Sequence, residues 1–319
     1  MELVQPTDNP MPPNPVSGHV ETVDGVKLRF ARWKTPHAPS KGTVLLLHGR
    51  AEYIEKLYET VADLRKAGYD VLTFDWRGQG GSSRLLKDRK RGYVANFDQY
   101  VTDLDTILEK VALPDCRAPY FILAHSTGAL VAMLAAPKLA NRIQRMVLSS
   151  PFFGFGRMPI GPGILKWVAG LLSLVGLGGA YMAGGPNPDE KRMFTANRLT
   201  SDTRRFSRNT GFASQFPDLS VGGPTAGWLL ASSKAMETVS DPDFIGSINI
   251  PSLLVMAGND QVVSNRAIEE MGRRLRSGHC VTIDGARHEI LQERDVYREQ
   301  LFAAFRAFIP GEDARTRKT

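Results

Sequence analysis

Cysteine is nearly absent: Cys116 and Cys280 are the two in 319 residues. Two thiols cannot build a disulfide framework, and these lack the paired spacing of a zinc site. The expectation is therefore a reducing compartment, with neither a structural nor a catalytic metal. Aromatic residues are also sparse, at 8%. The net charge of +7 and pI near 9.4 come largely from short runs at 84–91 and in the tail Arg315-Thr316-Arg317-Lys318. Without interleaved aromatics these runs read as solvated surface rather than a stacking platform, so no nucleic-acid partner is expected. Attraction to an acidic membrane surface is the minor alternative. The opening Met1-Glu2-Leu3-Val4-Gln5-Pro6 lacks the basic and apolar regions of a secretory signal. Residence in the cytoplasm is expected, at most peripheral to the inner face of a membrane. Long apolar runs are scarce too. The stretch 167–185 carries no charge and approaches spanning length, but its glycines, Gly170, Gly176, Gly178, Gly179, Gly184 and Gly185, favour a lipid-facing lid over a membrane span.

What is present is a chain 42% hydrophobic, enough to bury one large α/β core or two smaller ones. After a proline-rich lead, β-type runs at His19–Val23 and Val26–Trp33 flank Asp24-Gly25, a dipeptide suited to a tight hairpin turn. Apolar runs then recur at Thr43–Leu47, Asp70–Phe74, Tyr120–Ala124, Arg145–Ser149, Ser252–Met256 and Cys280–Ile283, as expected of strands covered on both faces of a parallel sheet. Between them, Ile54, Leu57, Tyr58, Val61 and Leu64 share a helical face, and Gly68 follows as a stop. Phe97 to Val111 and Tyr297 to Phe308 repeat that spacing. The alternation breaks after Ser150 and resumes near Pro251, which marks an insertion. It holds the Gly/Leu-rich stretch, a polar segment at 202–209 and an expected helix near Ala226–Thr238. The organisation so read is an extended lead at 1–17, a core at 18–150 and 251–310, a cap at 151–250 and a basic tail at 311–319.

The chemistry is carried by Ala124-His125-Ser126-Thr127-Gly128, where a β run passes through a small-x-Ser-x-Gly turn straight into a helix former. That is the context of a nucleophile elbow. A serine hydroxyl needs a base held by a carboxylate. The chain order Ser, acid, His is met by Asp260 and His288, each just past the C-terminal end of a β run, on the edge where open α/β sheets bind ligands. Asp284 sits at a strand end, where it serves a turn; Glu289 is expected to point elsewhere than its neighbour, His279 to emerge at the opposite edge, and His125 to face away from the serine. An oxyanion hole would take one amide from Thr127 and another from the loop Leu47-His48-Gly49-Arg50-Ala51-Glu52-Tyr53, with Arg50 chosen and Ala51 as the alternative. His48 is read as a brace. The glycine-rich loop at 74–82 lacks the Gly-Lys-Ser/Thr of a phosphate loop and reads as a sharp turn with Asp75 and Arg77 paired.

These motifs, His48-Gly49 with Glu52-Tyr53, Phe74 to Ser82, His125-Ser126-Thr127-Gly128, Gly258-Asn259-Asp260 and Ala286-Arg287-His288-Glu289, resemble the monoacylglycerol lipase and lysophospholipase L2 group of α/β hydrolases over about residues 20–309. The resemblance implies an α/β-hydrolase fold, a mostly parallel sheet flanked by helices, and a Ser-Asp-His mechanism without cofactor. It also implies an inserted cap between strands six and eight that receives an acyl chain. Its cap sequence Pro159 to Trp167 departs from that group, which leaves acyl length and head group open. The expected activity is cleavage of carboxylic esters with an apolar acyl chain, monoacylglycerol or lysophospholipid. Trp167, Leu171 and Leu172 are candidates to line the acyl tunnel or to make transient contact with a membrane surface. Two alternatives stand beside it. One is a peptidase or amidase whose cap acids, among Asp189, Glu190, Asp202, Asp218 and Glu237, bind a substrate amine. The other is a catalytically silent lipid-binding protein on the same fold.

Overall fold

In the computed structural model, which describes residues 2–186 and 193–309, eight strands join one sheet in the order β1-β2-β4-β3-β5-β6-β7-β8. They are β1 (Val16–Glu21), β2 (Lys27–Trp33), β3 (Thr43–Leu47), β4 (Asp70–Phe74), β5 (Tyr120–His125), β6 (Ile143–Ser149), β7 (Ser252–Ala257) and β8 (Gly278–Ile283). From β4 across to β8 every pairing is parallel, while β2 runs antiparallel to both β1 and β4. All residues of β3, β5 and β7 are buried, which is why their sequences read as unbroken apolar runs instead of alternating.

The helices are α1 (Tyr58–Lys66), α2 (Asp98–Ile107), α3 (Leu113–Asp115), α4 (Thr127–Leu139), α5 (Pro162–Leu174), α6 (Thr203–Gln215), α7 (Ala226–Ser240), α8 (Pro242–Gly246), α9 (Asn265–Arg274) and α10 (Asp295–Phe308). Alternate residues of each strand face opposite sides. Ile122 and Ala124 of β5 join one apolar cluster with Leu104 of α2, Leu130 of α4 and Ile268 of α9. Phe121 and Leu123 join the other with Val61 and Leu64 of α1 and Leu301 and Phe305 of α10. The sheet is thus covered on both faces, and the C-terminal ends of its parallel strands all open at one edge.

Among the described residues between β6 and β7 there is no strand of the sheet, and the chain forms α5 to α8. The insertion therefore lies after strand six and before strand eight, on the β6 side of β7. Its first helix starts with Pro162 in the first turn, where a missing N–H costs nothing. The polar segment at 202–209 begins α6: the Asp202 carboxylate accepts from the Arg205 N–H at 2.8 Å, a side-chain cap of a helix start. Among the described residues no helix is long and apolar enough to cross a membrane, and α5 has 13 residues.

Other expectations move as well. The first strand lies earlier than read, at Val16–Glu21, while the second and the Asp24-Gly25 turn fall where expected; Val23 is exposed in that turn. The lead lies along the core: Val4 N–H donates to Glu55 Oε1 (3.2 Å), and Trp33 Nε1 donates to Pro12 O (3.0 Å). His279 lies within β8 instead of before it, near the end opposite the site, with its ring against Phe308. Asp75 and Arg77 do not pair. Asp75 is held by Arg29 at 2.6 Å and Arg77 by Asp103 at 2.7 Å, because each finds a partner buried on a different neighbouring element. The basic tail 311–319 and the acidic pair Asp189 and Glu190 lie outside the described residues.

Candidate active site

Strand β5 ends at His125 and helix α4 begins at Thr127, so Ser126 makes the whole turn by itself with φ +52° and ψ −113°. A non-glycine residue rarely adopts that conformation, and when it does the surrounding structure holds it. Here Ser126 N–H donates to Ser149 O (3.0 Å) and its carbonyl accepts from Leu130 N–H (3.2 Å). Gly128 is required by space: a Cβ there would lie 2.5 Å from His48 O and 2.8 Å from Leu47 O. The elbow is seated directly on the end of β3.

Loops after β7 and β8 bring two further side chains to the serine. His288 Nε2 is 3.0 Å from Ser126 Oγ, and His288 Nδ1 is 2.8 Å from Asp260 Oδ2. Asp260 Oδ1 accepts from the N–H groups of Val262 (2.8 Å) and Val263 (3.0 Å). Burial of the Asp260 carboxyl opposes ionisation, but the hydrogen bond and charge of His288 and the two amides outweigh it and hold its pKa below the usual carboxylate value. An ionised Asp260 only accepts, so Nδ1 carries the imidazole proton and Nε2 is left to accept from the serine hydroxyl. The Ser126 and His288 residues are buried, at 8% and 4% exposure.

Asp284 is exposed and accepts from the N–H of Gly285, a turn role, while His288 Nδ1 is engaged by Asp260. His48 is wholly buried, with Nδ1 2.7 Å from Gly49 O and Nε2 3.7 Å from Asp75. His125 does not turn away from the site: its ring lies 4.8 Å from that of His288. The cause is the elbow itself, which reverses the chain after His125 and leaves its ring in the same wall. Burial, with a smaller contribution from His288, lowers its pKa to about 3, so it stays neutral.

Of the two amides considered for the oxyanion, the N–H of Ala51 donates to Gln79 Oε1 at 2.6 Å, which leaves Arg50 as the candidate beside Thr127 at the start of α4. The Arg50 side chain reaches the insertion, donating to Gly222 O (2.6 Å) and lying 5.1 Å from the ring of Trp228.

Above Ser126 is a cavity of about 500 Å³ with a predominantly apolar lining. Phe152, Phe155, Met158, Leu165, Met182, Trp228, Leu229 and Val262 contribute apolar surface, and Glu52, Lys56, Thr200, Asn209, Thr210 and Glu289 contribute polar groups. Trp167, Leu171 and Leu172, expected to line an acyl tunnel, are absent from this wall. Helix α5 buries Leu165 and Ala169, one turn apart, so Trp167 and Leu171 project outward and Leu172 packs beside the core. The actual apolar lining was not legible because it is gathered from the turn after β6, one residue of α5, loops of the insertion, α7 and the loop after β7, and the periodicity of a helix gives a buried face but not what that face encloses. Among the described residues no cluster of His, Cys, Asp or Glu is arranged to hold a metal ion.

Residues 38–295 match the model of a family described as serine aminopeptidase, S33. The chain belongs to the serine aminopeptidase S33 family. Relatives similar to it over most of their length include lysophospholipase L2 of Escherichia coli K12, 34% identical over 286 residues (86% of this chain, 82% of the relative). A probable lysophospholipase L2 of Haemophilus influenzae is 30% identical over 285 residues, 89% and 88% of the two chains. Among solved structures, a soluble variant of Saccharomyces cerevisiae monoglyceride lipase in complex with a substrate analog superposes with a TM-score of 0.74 at 20% identity, covering 93% of this chain and 96% of the other. A carboxyl esterase of Bacillus coagulans gives 0.71 at 18% identity, with 92% and 99% covered. This member of the S33 family is a hydrolase of the α/β-hydrolase fold.

Proposed function

We propose that the chain is a serine carboxylic ester hydrolase acting on lipid esters with an apolar acyl chain, of the monoacylglycerol or lysophospholipid kind, through Ser126, His288 and Asp260. The observation that carries the reading is the continuous hydrogen-bonded chain from Ser126 Oγ through His288 to Asp260, at 3.0 and 2.8 Å, beneath a mainly apolar cavity. His288 Nε2 takes the serine proton as Oγ attacks the ester carbonyl, and Asp260 stabilises the imidazolium. The Arg50 and Thr127 amides hold the oxyanion. His288 returns the proton to the departing alcohol, leaving an acyl-Ser126 ester; water, deprotonated by His288, then releases the fatty acid and restores the hydroxyl. The names of the two lysophospholipase L2 relatives support the substrate class.

The insertion acts as a cap over the site, contributing Leu165, Leu199, Phe206 and Trp228 to the cavity. The outward face of α5 and the turn after it carry Ile164, Trp167, Leu171, Leu174, Val175 and Leu177, all exposed, Leu174 at 84%. The adjoining turn packs on the basic loop, with Arg91 over the Tyr181 ring. Apolar surface next to positive charge suits the surface of an anionic bilayer, from which the substrate is drawn.

An aminopeptidase reading is not favoured. It needs an unneutralised acid facing the scissile bond. Among the described residues, Asp202, Asp218 and Glu237 do not line the cavity, and the acids that do, Glu52 and Glu289, both hold Lys56. Hydrolysis rates on p-nitrophenyl esters of graded acyl length, compared with an aminoacyl p-nitroanilide, test the assignment. Ester cleavage abolished by Ser126→Ala is expected, and faster turnover of the anilide would reject it.

A further inference from the structure

We propose that Glu52, Lys56 and Glu289 form a positioning strut that locks the loop bearing the oxyanion amide to the loop bearing His288, an inference that rests on the catalytic reading above. The three side chains are all but excluded from solvent, at 4%, 8% and 7% exposure. Glu52 Oε2 accepts from the Gly49 N–H at 2.5 Å. Lys56 Nζ then bridges Glu52 Oε1 at 2.7 Å and Glu289 Oε1 at 2.8 Å. Glu289 directly follows His288 in the chain. The strut therefore runs without a gap from the His48–Gly49 peptide, one residue before the Arg50 amide, to the residue after the general base.

Energetics argue that it is not there to hold the fold together. Burying three charges costs more solvation than mutual attraction reliably returns, and well-packed apolar groups of the same volume commonly do as well or better. Burial opposes the charge on Lys56, yet Glu289 and Glu52 hold its pKa above the ordinary lysine value, and Lys56 in turn draws Glu52 below the carboxylate value. Lys56 and Glu52 therefore stay ionised as a pair. What an apolar trio would not supply is direction, a fixed acceptor for one particular N–H.

That direction matters because the Gly49 backbone is wedged against the nucleophile. A Cβ on Gly49 would come within 3.0 Å of Glu52 Oε2, 3.1 Å of His125 Cδ2 and 3.3 Å of Ser126 Cβ. A shift of the loop moves the oxyanion amide relative to Ser126, and misplacement of about 1 Å costs on the order of 100-fold in rate. Glu52, Lys56 and Glu289 touch no reacting atom in this scheme; they act through Gly49 and His288.

The test compares Glu52→Leu, which removes the acceptor, with Glu52→Gln, which keeps an oxygen for the Gly49 N–H, on a p-nitrophenyl ester, with active enzyme titrated by a fluorophosphonate. Glu52→Leu is expected to lower kcat per titrated site about 10- to 100-fold with KM within about threefold, and Glu52→Gln to recover most of it. Lys56→Met with Glu289→Gln, which removes one charge of each sign and cuts the link to the His288 loop, supplies the same readout should Glu52→Leu not fold. It is expected to lose about tenfold in kcat. Wild-type kcat per titrated site in a folded variant, or loss of titratable sites in place of rate, overturns the strut. Ser126→Ala run in parallel separates the two ideas: if it keeps activity, the catalytic reading itself is wrong, whereas an inert Ser126→Ala beside a fully active Glu52→Leu rejects the strut alone.

Discussion

Replacing Asp260 by Asn isolates what the acid does, because the structure dictates which way the new amide turns. In the native chain Asp260 Oδ1 accepts from the N–H groups of Val262 and Val263, and Oδ2 accepts from His288 Nδ1. An asparagine of the same shape keeps its one oxygen on the two valine amides and presents NH₂ to Nδ1. The imidazole must then accept at Nδ1 and carry its proton on Nε2, which faces Ser126 Oγ at 3.0 Å. A protonated Nε2 cannot take the serine proton. A base of the wrong tautomer in such a triad lowers kcat by about 10⁴-fold, and at 1.36 kcal/mol per decade that is about 5.4 kcal/mol of activation free energy. The assay is kcat on a short-chain p-nitrophenyl ester near pH 8, with thermal unfolding run alongside. The expected result is a rate near the Ser126→Ala background with the thermal midpoint little changed. A folded Asp260→Asn variant within tenfold of the wild-type kcat would refute the reasoning.

Three further outcomes follow from other parts of the molecule. Gly128→Ala drives a Cβ into the backbone carbonyls of His48 and Leu47; it is expected to cost about 1–3 kcal/mol in denaturant unfolding and to lower kcat more than KM as the elbow shifts. Glu59 has its pKa lowered from 4.5 to about 2: burial opposes this, and the Arg205 hydrogen bond, the Arg298 charge and the Arg208 hydrogen bond prevail. The ionised group's contribution is complete above the unfolded value of 4.5 and is lost as the pH falls toward 2. The thermal midpoint of wild type should therefore converge on that of Glu59→Gln across that window, and a constant offset would contradict it. Trp167→Ser with Leu174→Ser, both outside the cavity wall, should reduce co-sedimentation with phosphatidylglycerol vesicles and leave hydrolysis of a soluble ester unchanged; equal vesicle binding would argue that α5 faces water.

The sequence was informative where one local rule decides the outcome. Apolar runs located β3 to β8 within a few residues; for β3, β5 and β7 the reason is burial on both faces, which leaves no room for polar alternation, whereas β8, read the same way, is an edge strand with four of its six residues exposed. Ser126, Asp260 and His288 were legible because each follows a strand end, and parallel strands put those ends at one edge. Distant pairings were not legible. Asp75 and Arg77 are two residues apart in sequence yet pair with Arg29 and Asp103, and nothing local announces a partner on another element. The α5 stripe failed for a related reason: spacing shows that Leu165 and Ala169 share a face with each other, but not that Trp167 and Leu171 face away from the cavity. Glu52, Lys56 and Glu289 are separated by up to 237 residues of chain and carry no motif; only the fold assembles them.

The most direct measurement is to label the intact protein with a fluorophosphonate and map the adduct by mass spectrometry, with ester turnover followed in the same samples. A single adduct on Ser126, lost together with turnover in Ser126→Ala and slowed by orders of magnitude in His288→Ala, is the result expected. Undiminished ester hydrolysis by Ser126→Ala, or a stoichiometric adduct on another residue that accounts for the lost activity, would contradict the account at its centre.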